Sequence, residues 1–145
     1  MHEFHILSLI KKHEGWRNKA YDDATGKAVK APEGKLTIGY GFNIQDNGLP
    51  SSVASYWLSH EYQKWVQPAL SRFFPKFEQY SFNRQAALAS MMFNLGETRF
   101  GGFKKMIHAV RNEDWVEAAR EAEDSNWYRQ VKTRAIEICD MLLTG

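Results

Sequence analysis

The sequence predicts an α+β fold in which a small antiparallel sheet near the N-terminus is followed by a larger set of helices. Residues 20–44 are rich in turn- and strand-forming residues, and apolar residues recur at helical spacing further along the chain. A length of 145 residues suits one domain or two small lobes that share a helix. We expect one domain with a β-containing lobe at about 12–50, a connecting helix at about 51–75, and a helical lobe at about 76–145 that packs with the N-terminal helix.

The N-terminal segment is predicted to be a helix that ends at Glu14. Its apolar side chains recur at helical spacing, and Gly15 follows Glu14 directly, as is usual where a helix stops. The partial negative charge of a helix C-terminus opposes ionisation of a carboxyl group. Glu14 is therefore a candidate general acid, because such a group must carry a proton near neutral pH.

Residues 20–44 are predicted to form a small antiparallel sheet. We expect one strand at 27–31, a turn at 31–34 with proline at its second position and glycine at its fourth, and a returning strand at 35–41. Gly39 and Gly41 either ease strand packing or let a ligand approach the backbone closely, and the sequence favours the two alternatives equally.

Asp23 lies in the run DDATG, which is typical of a turn, so its carboxyl group is expected to be more freely ionised than that of Glu14. Two carboxyl groups in opposed environments suit the cleavage of a glycosidic bond, and Thr37 offers a hydroxyl group that would orient a water molecule. Taken alone, a helix-end glutamate and a turn aspartate are more often solvated surface.

The remaining chain is predicted to be helical. Pro50 and the two serines after it begin the connecting helix, and Pro68 either kinks that helix or begins a new one. His60 and Glu61 lack further ligands at suitable spacing, which favours a solvated face over a metal site. Ser81 is predicted to cap a helix at 82–95 that ends at Gly96. Two helices are expected after it, at 103–110 and 114–123. A short turn capped by Ser125 and a last helix from Thr133 complete the chain as given.

Composition narrows the possible partners. The net charge of +2 suits an anionic polymer and is too small to indicate nucleic acid. Cys139 is the only cysteine, so no internal disulfide can form, and its apolar neighbours predict a buried helix residue. We expect neither a signal peptide nor a membrane span.

Two motifs carry a family resemblance. HEGWRNKAYDD and LTIGYGF resemble the T-even phage-type lysozymes, whose pattern is Glu-Gly, a spacer, Tyr-x-Asp, then Thr-Ile-Gly-x-Gly. The runs AALASMMFNLGET, GGF, DWVEAARE and NWYRQVKTRA continue the resemblance over most of the chain. It implies the two-lobed lysozyme fold and places the catalytic residues at Glu14, Asp23 and Thr37. Asp22 is the alternative aspartate, but Asp23 keeps the family's distance from Tyr21.

The resemblance also implies supporting residues. It assigns substrate contacts to Phe42, Asn43, Phe93 and Asn94, although a core position for Phe93 is equally consistent with the sequence. Arg134 matches the family arginine that reaches the catalytic glutamate; the alternative is that it only anchors the last helix. The chain departs from the family in a longer hairpin before Thr37, where the intact Thr-Ile-Gly-Tyr-Gly indicates that the strand itself is preserved. It also departs in Phe42, where the best-known members have histidine, and we expect activity to survive the loss of that histidine.

The implied activity is hydrolysis of the β-1,4 bond between N-acetylmuramic acid and N-acetylglucosamine in peptidoglycan, with inversion at the anomeric carbon. The implied partner is the peptidoglycan glycan strand, with no cofactor, metal, nucleic acid or membrane insertion. We expect a monomer, unless the chain is part of a larger virion tail protein, located in the host cytoplasm until release or carried in the virion. A lytic transglycosylase and a non-catalytic wall-binding module are the alternatives.

Overall fold

A computed structural model of the chain describes residues 2–21, 25, 27 and 34–145. Asp22, Asp23, the turn expected before Gly34 and most of the strand expected at 27–31 lie outside these residues. The described chain divides into two compact units. The helical unit comprises residues 1–14 and 60–145, and the small unit comprises residues 15–59. Helices dominate and the only sheet among the described residues is a two-stranded antiparallel one, so the predicted α+β class is confirmed.

The elements follow one another along the chain in this order: α1 (His2–Glu14), β1 (Thr37–Ile38), β2 (Phe42–Asn43), α2 (Ile44–Asn47), α3 (Ser51–Glu61), a π-helical segment (Tyr62–Val66), α4 (Gln67–Phe73), a 3₁₀ turn (Phe77–Gln79), α5 (Phe82–Gly101), α6 (Lys104–Arg111), α7 (Trp115–Glu123), α8 (Asn126–Val131) and α9 (Thr133–Thr144). The boundary between the units falls inside α3, between Ser59 and His60.

Residues 51–73 change their hydrogen-bonding pattern without leaving helical geometry. The π-helical segment lies between α3 and α4, and Glu61, Val66 and Gln67 at its ends all have right-handed helical φ and ψ angles. Pro68 therefore lies inside a continuous helical run, in the first turn of α4. A proline is tolerated in a first turn because the first backbone N–H groups of a helix have no partner inside it.

The core of the helical unit is built around α5. This helix packs against α1, α4 and α9, and all of residues 85–92 are buried. Three of these residues are alanines, whose small side chains let neighbouring helices approach closely. Ser81 caps α5 as predicted, with its hydroxyl oxygen accepting from the backbone N–H of Arg84. At Gly96 the backbone leaves helical geometry, and one more turn follows.

The small unit contains a tight hairpin. Thr37 pairs with Asn43 and Ile38 with Phe42, so the chain reverses over Gly39, Tyr40 and Gly41. The predicted strand through Gly41 is therefore wrong in its last three residues. Both glycines have positive φ, 59° and 82°, a backbone conformation that disfavours other residues and bends the chain out of the strand.

Candidate active site

Glu14 is the last residue of α1 in the helical unit. Its side chain is 37% exposed, and its Oε1 accepts a hydrogen bond from Nη1 of Arg134 at 2.8 Å. Gly15 follows with φ of 72° and turns the chain away from the helix. The carboxyl group is thus open to solvent but held at one oxygen, which is the arrangement that an oriented acid requires.

Arg134 lies in the first turn of α9 and is 15% exposed. Besides Glu14, its guanidinium group donates through Nη2 to the backbone carbonyl of His13. One cation thus contacts both the last turn of α1 and the carboxyl group that ends it. Cations are favourable at this end of a helix, where backbone carbonyls lack partners.

Sequence analysis missed a polar cluster around the buried side chain of His13, the residue before Glu14. The side chain of His13 is 4% exposed; its Nδ1 lies 2.6 Å from Oγ of Ser90 on α5, and its Nε2 lies 3.1 Å from Oε2 of Glu137 on α9. The other oxygen of Glu137 pairs with Lys12 at 2.5 Å. Two signals in the sequence are that His13 directly precedes Glu14 and that Glu137 follows Arg134 by about one helical turn.

Burial lowers the pKa of His13, and the positive charges of Arg134 and Lys12 act in the same direction. The hydrogen bond and charge of Glu137 oppose this shift without reversing it. The Lys12 hydrogen bond lowers the pKa of Glu137, with a further contribution from His13. At neutral pH the cluster therefore contains a neutral imidazole and an ionised carboxylate.

Thr37 lies on β1 in the small unit. Its hydroxyl group donates to the backbone carbonyl of Lys35 at 2.9 Å. The hydrogen atom is thereby committed to the backbone, and the hydroxyl oxygen keeps lone pairs that can accept from a water molecule.

The other two candidates of the small unit differ in their surroundings. Phe42 is 63% exposed, with one ring edge near the backbone of Gly39. Asn43 caps α2, because its Oδ1 accepts from the backbone N–H of Asp46 at 3.1 Å and its Nδ2 donates to the carboxylate of that residue at 2.9 Å. Both ends of the Asn43 amide group thus have partners inside the small unit.

Phe93 and Asn94 lie on α5 and are half-buried. The Phe93 ring stacks on Trp65 with a centroid distance of 6.1 Å and an interplanar angle of 20°. Oδ1 of Asn94 accepts from Nε1 of Trp127 at 2.9 Å, which fixes the orientation of the amide group.

Other sequence expectations concern metals, membranes and the cysteine. Across residues 2–21 and the other described parts of the chain, no three histidine, cysteine or acidic side chains come together as a metal site would need. In the same residues, no helix combines the length and the apolar character required to cross a membrane. Cys139 is buried on α9 as predicted, and burial raises the pKa of its thiol to about 12.

The sequence profile of the phage lysozyme family matches residues 11–137. That range contains every candidate site residue. Since it covers most of the chain, the protein belongs to the phage lysozyme family, and the resemblance inferred from the motifs is confirmed.

Individual relatives agree with this placement. The chain is similar to the pre-baseplate central spike protein Gp5 of Enterobacteria phage T4, with 35% identity over 167 aligned positions that cover 97% of this chain and 28% of Gp5. It is also similar to probable T4-type lysozyme 2 of Dictyostelium discoideum, with 35% identity over 63 residues, 43% of this chain and 37% of that protein. The chain thus spans well under half the length of these relatives.

Proposed function

We propose that this protein is a lysozyme that hydrolyses the β-1,4 bond between N-acetylmuramic acid and N-acetylglucosamine in peptidoglycan. Membership of the phage lysozyme family supports the reaction class. The observation that carries the residue assignment is the Glu14–Arg134 contact, since it pairs a solvent-open carboxyl group at a helix end with a largely buried cation 120 residues further along the chain.

In the proposed mechanism, Glu14 protonates the oxygen of the leaving sugar. Arg134 holds Oε1 of Glu14, and Oε2 is the oxygen that takes no part in that bond and is the one available to deliver the proton. Donation by a positioned acid contributes about 10²–10⁴-fold to the rate of such a reaction.

Asp23 and Thr37 would place the attacking water on the opposite face of the sugar, with inversion of the anomeric carbon. The Thr37 hydroxyl oxygen can accept from that water because its own hydrogen atom is bonded to the Lys35 carbonyl. Inversion requires the carboxyl groups of Glu14 and Asp23 to be roughly 6.5–9.5 Å apart, to leave room for the water.

Substrate contacts are assigned to Phe42, Asn43, Phe93 and Asn94. The support differs between them. Since Trp127 holds Oδ1 of Asn94, the NH₂ group of that amide is the end that would donate to the acetamido carbonyl of a sugar. The exposed ring of Phe42 offers an apolar face, whereas Asn43 would contact the sugar while it also caps α2.

The experiment is release of reducing ends from purified peptidoglycan by the wild-type chain and by Glu14→Gln, Asp23→Asn, Asp22→Asn and Thr37→Ala. We expect Glu14→Gln to lower the rate by about 10²–10⁴-fold, Asp23→Asn to lower it strongly, and Asp22→Asn to retain it. Glu97→Gln, on another exposed ion pair, is the control. An unchanged rate in Glu14→Gln would contradict the proposal.

The reaction products distinguish the proposed lysozyme from the alternative functions and show the stereochemistry of the reaction. Mass spectra with anhydro-sugar ends would identify a lytic transglycosylase instead, and wall binding without any released ends would identify a non-catalytic module. Proton NMR of the first product shows which anomer forms, and a retained configuration would refute the inverting mechanism alone.

We also propose a virion-associated setting for the chain. The support is its similarity to a pre-baseplate central spike protein, which covers nearly the whole chain. Detection of the chain in purified phage particles by mass spectrometry would support this setting. Its recovery only from lysates, and never from particles, would instead support a free lysis enzyme.

A further inference from the structure

The end of α1 is tied to two other helices through one side chain. His13 contacts Ser90 on α5 through Nδ1 and Glu137 on α9 through Nε2, at 2.6 and 3.1 Å. Its backbone carbonyl accepts from Arg134 on α9. The residue that directly precedes Glu14 is therefore held at both ring nitrogens and at its carbonyl oxygen.

The partners define which ring nitrogen carries the proton. An ionised carboxylate can only accept hydrogen bonds, so Nε2 must be the nitrogen that donates to Glu137. The neutral imidazole then accepts at Nδ1, and the Ser90 hydroxyl group is the donor. With this tautomer all three polar groups are satisfied, and none of the buried side-chain polar atoms in the described residues lacks a partner.

The cluster contains the three residue types of a nucleophilic triad, but its burial excludes that chemistry. Ser90 is 1% exposed in the middle of the buried part of α5, so no substrate can reach its hydroxyl group. The role that remains for the cluster is mechanical. It fixes the rotation and the position of the last turn of α1.

We propose that His13, in its neutral Nε2–H form, is a positioning residue for the proposed acid Glu14, and that it acts together with Glu137 and Arg134. This inference rests on the proposed function. Glu137 and Arg134 lie one turn apart on the same face of α9, so α9 holds His13 at its ring and at its carbonyl while it also holds the Glu14 carboxyl group. Loss of the ring contact frees the last turn of α1 to rotate, and the carboxyl group moves with it.

The variant that tests this is Glu137→Ala, because Glu137 is 30% exposed and its removal is less severe for folding than removal of His13. A displacement of about 1 Å at a reacting group costs about 10²-fold in rate, so we expect kcat to fall by about ten-fold or more with KM little changed. Glu137→Gln keeps an acceptor for Nε2–H and should restore most of kcat.

Glu97→Ala is the matched control. Glu97 also accepts from a cation on another helix, Arg72 at 2.7 Å, but that cation lies on α4 and not on α1 or α9. We expect it to leave kcat unchanged. Equal losses of kcat in Glu97→Ala and Glu137→Ala would show a general effect of removing ion pairs and would overturn the inference.

A second arm tests whether His13 and Arg134 act together. In an Arg134→Met background, Glu137→Ala should lower kcat by a much smaller factor than in the wild type, because the two changes disturb the same carboxyl group. Identical factors in both backgrounds would overturn the inference.

The third arm does not depend on activity. In ¹H–¹⁵N spectra of the imidazole groups at neutral pH, His13 should show a protonated Nε2 and an unprotonated Nδ1, and Ser90→Ala should shift the Nδ1 signal. The opposite tautomer, or an imidazolium, would refute the cluster.

If the wild type cleaves no peptidoglycan but this spectrum is as expected, the proposed function fails while the hydrogen-bonded cluster of His13, Ser90 and Glu137 stands. If the wild type cleaves and Glu137→Ala is unimpaired, the positioning role alone fails.

Discussion

Replacement of Arg134 by methionine separates its two possible roles, support of the proposed acid and anchoring of α9. The change removes two hydrogen bonds, one to Oε1 of Glu14 at 2.8 Å and one to the His13 carbonyl, while it keeps most of the apolar stem. A hydrogen bond to a charged group is worth about 1.5–3 kcal/mol when it is buried, and the exposure of Glu14 reduces the first contribution. We therefore expect a total loss of about 1–3 kcal/mol in the free energy of unfolding.

The assay combines thermal unfolding with kcat on soluble glycan fragments of peptidoglycan. For a chain of this size the loss corresponds to a decrease of roughly 2–12 °C in Tm, and misplacement of the acid should lower kcat by about 10–100-fold. Arg84→Met is the matched control, since Arg84 also bonds a carbonyl of α9, that of Leu142, but close to the end of that helix. It should lower Tm and retain kcat. A lower Tm with unchanged kcat in Arg134→Met would refute the supporting role and leave only the anchor.

Three further predictions each concern one residue: His13, Cys139 or Gly48. The pKa of His13 is lowered from 6.5 in the folded protein, so below pH 6.5 the unfolded chain takes up a proton that the folded chain does not. The free energy of unfolding, measured with urea, should therefore fall as the pH drops below 6.5. His13→Gln should make this dependence on pH weaker. Cys139, with a thiol pKa of about 12, should react with a disulfide reagent only after unfolding, and rapid reaction at pH 8 would contradict its burial. In the small unit, a side chain at Gly48 would collide with the backbone carbonyl of Asn18, so Gly48→Ala should increase amide hydrogen exchange there, and unchanged exchange would show that this close approach is unnecessary.

Helix boundaries could be predicted because local chemistry determines them. Ser81 and Ser125 were expected as caps, and each hydroxyl oxygen accepts from a backbone N–H three residues later. The hairpin was less predictable. The run Thr-Ile-Gly-Tyr-Gly predicts a strand, but positive φ at Gly39 and Gly41 makes its last three residues a turn. The π-helical segment at Tyr62–Val66 has no recognised sequence signal at all.

The candidate site depends on contacts between distant parts of the chain. Periodicity placed Glu14 at a helix end, but only the family resemblance suggested Arg134 as its partner, because 120 residues separate them. No family pattern pointed to the buried cluster. His13, Ser90 and Glu137 come from three helices, and each residue alone is compatible with an ordinary helix surface or core. Their relation becomes visible only once α1, α5 and α9 are packed together.

The packing of these three helices resolves an apparent conflict at the end of α1. A carboxyl group at a helix C-terminus adds negative charge where the backbone already presents unpartnered carbonyl groups, which is unfavourable. One guanidinium group, that of Arg134, compensates for the negative charge of the Glu14 carboxylate and for the missing partner of the His13 carbonyl, because it contacts both. A lysine donates all its hydrogen bonds from one nitrogen and lacks the planar two-nitrogen fork of a guanidinium group, so it is not an equivalent residue here. The orientation of the Glu14 carboxyl group, the proposed acid, therefore depends less on α1 itself than on how α9 packs against α1.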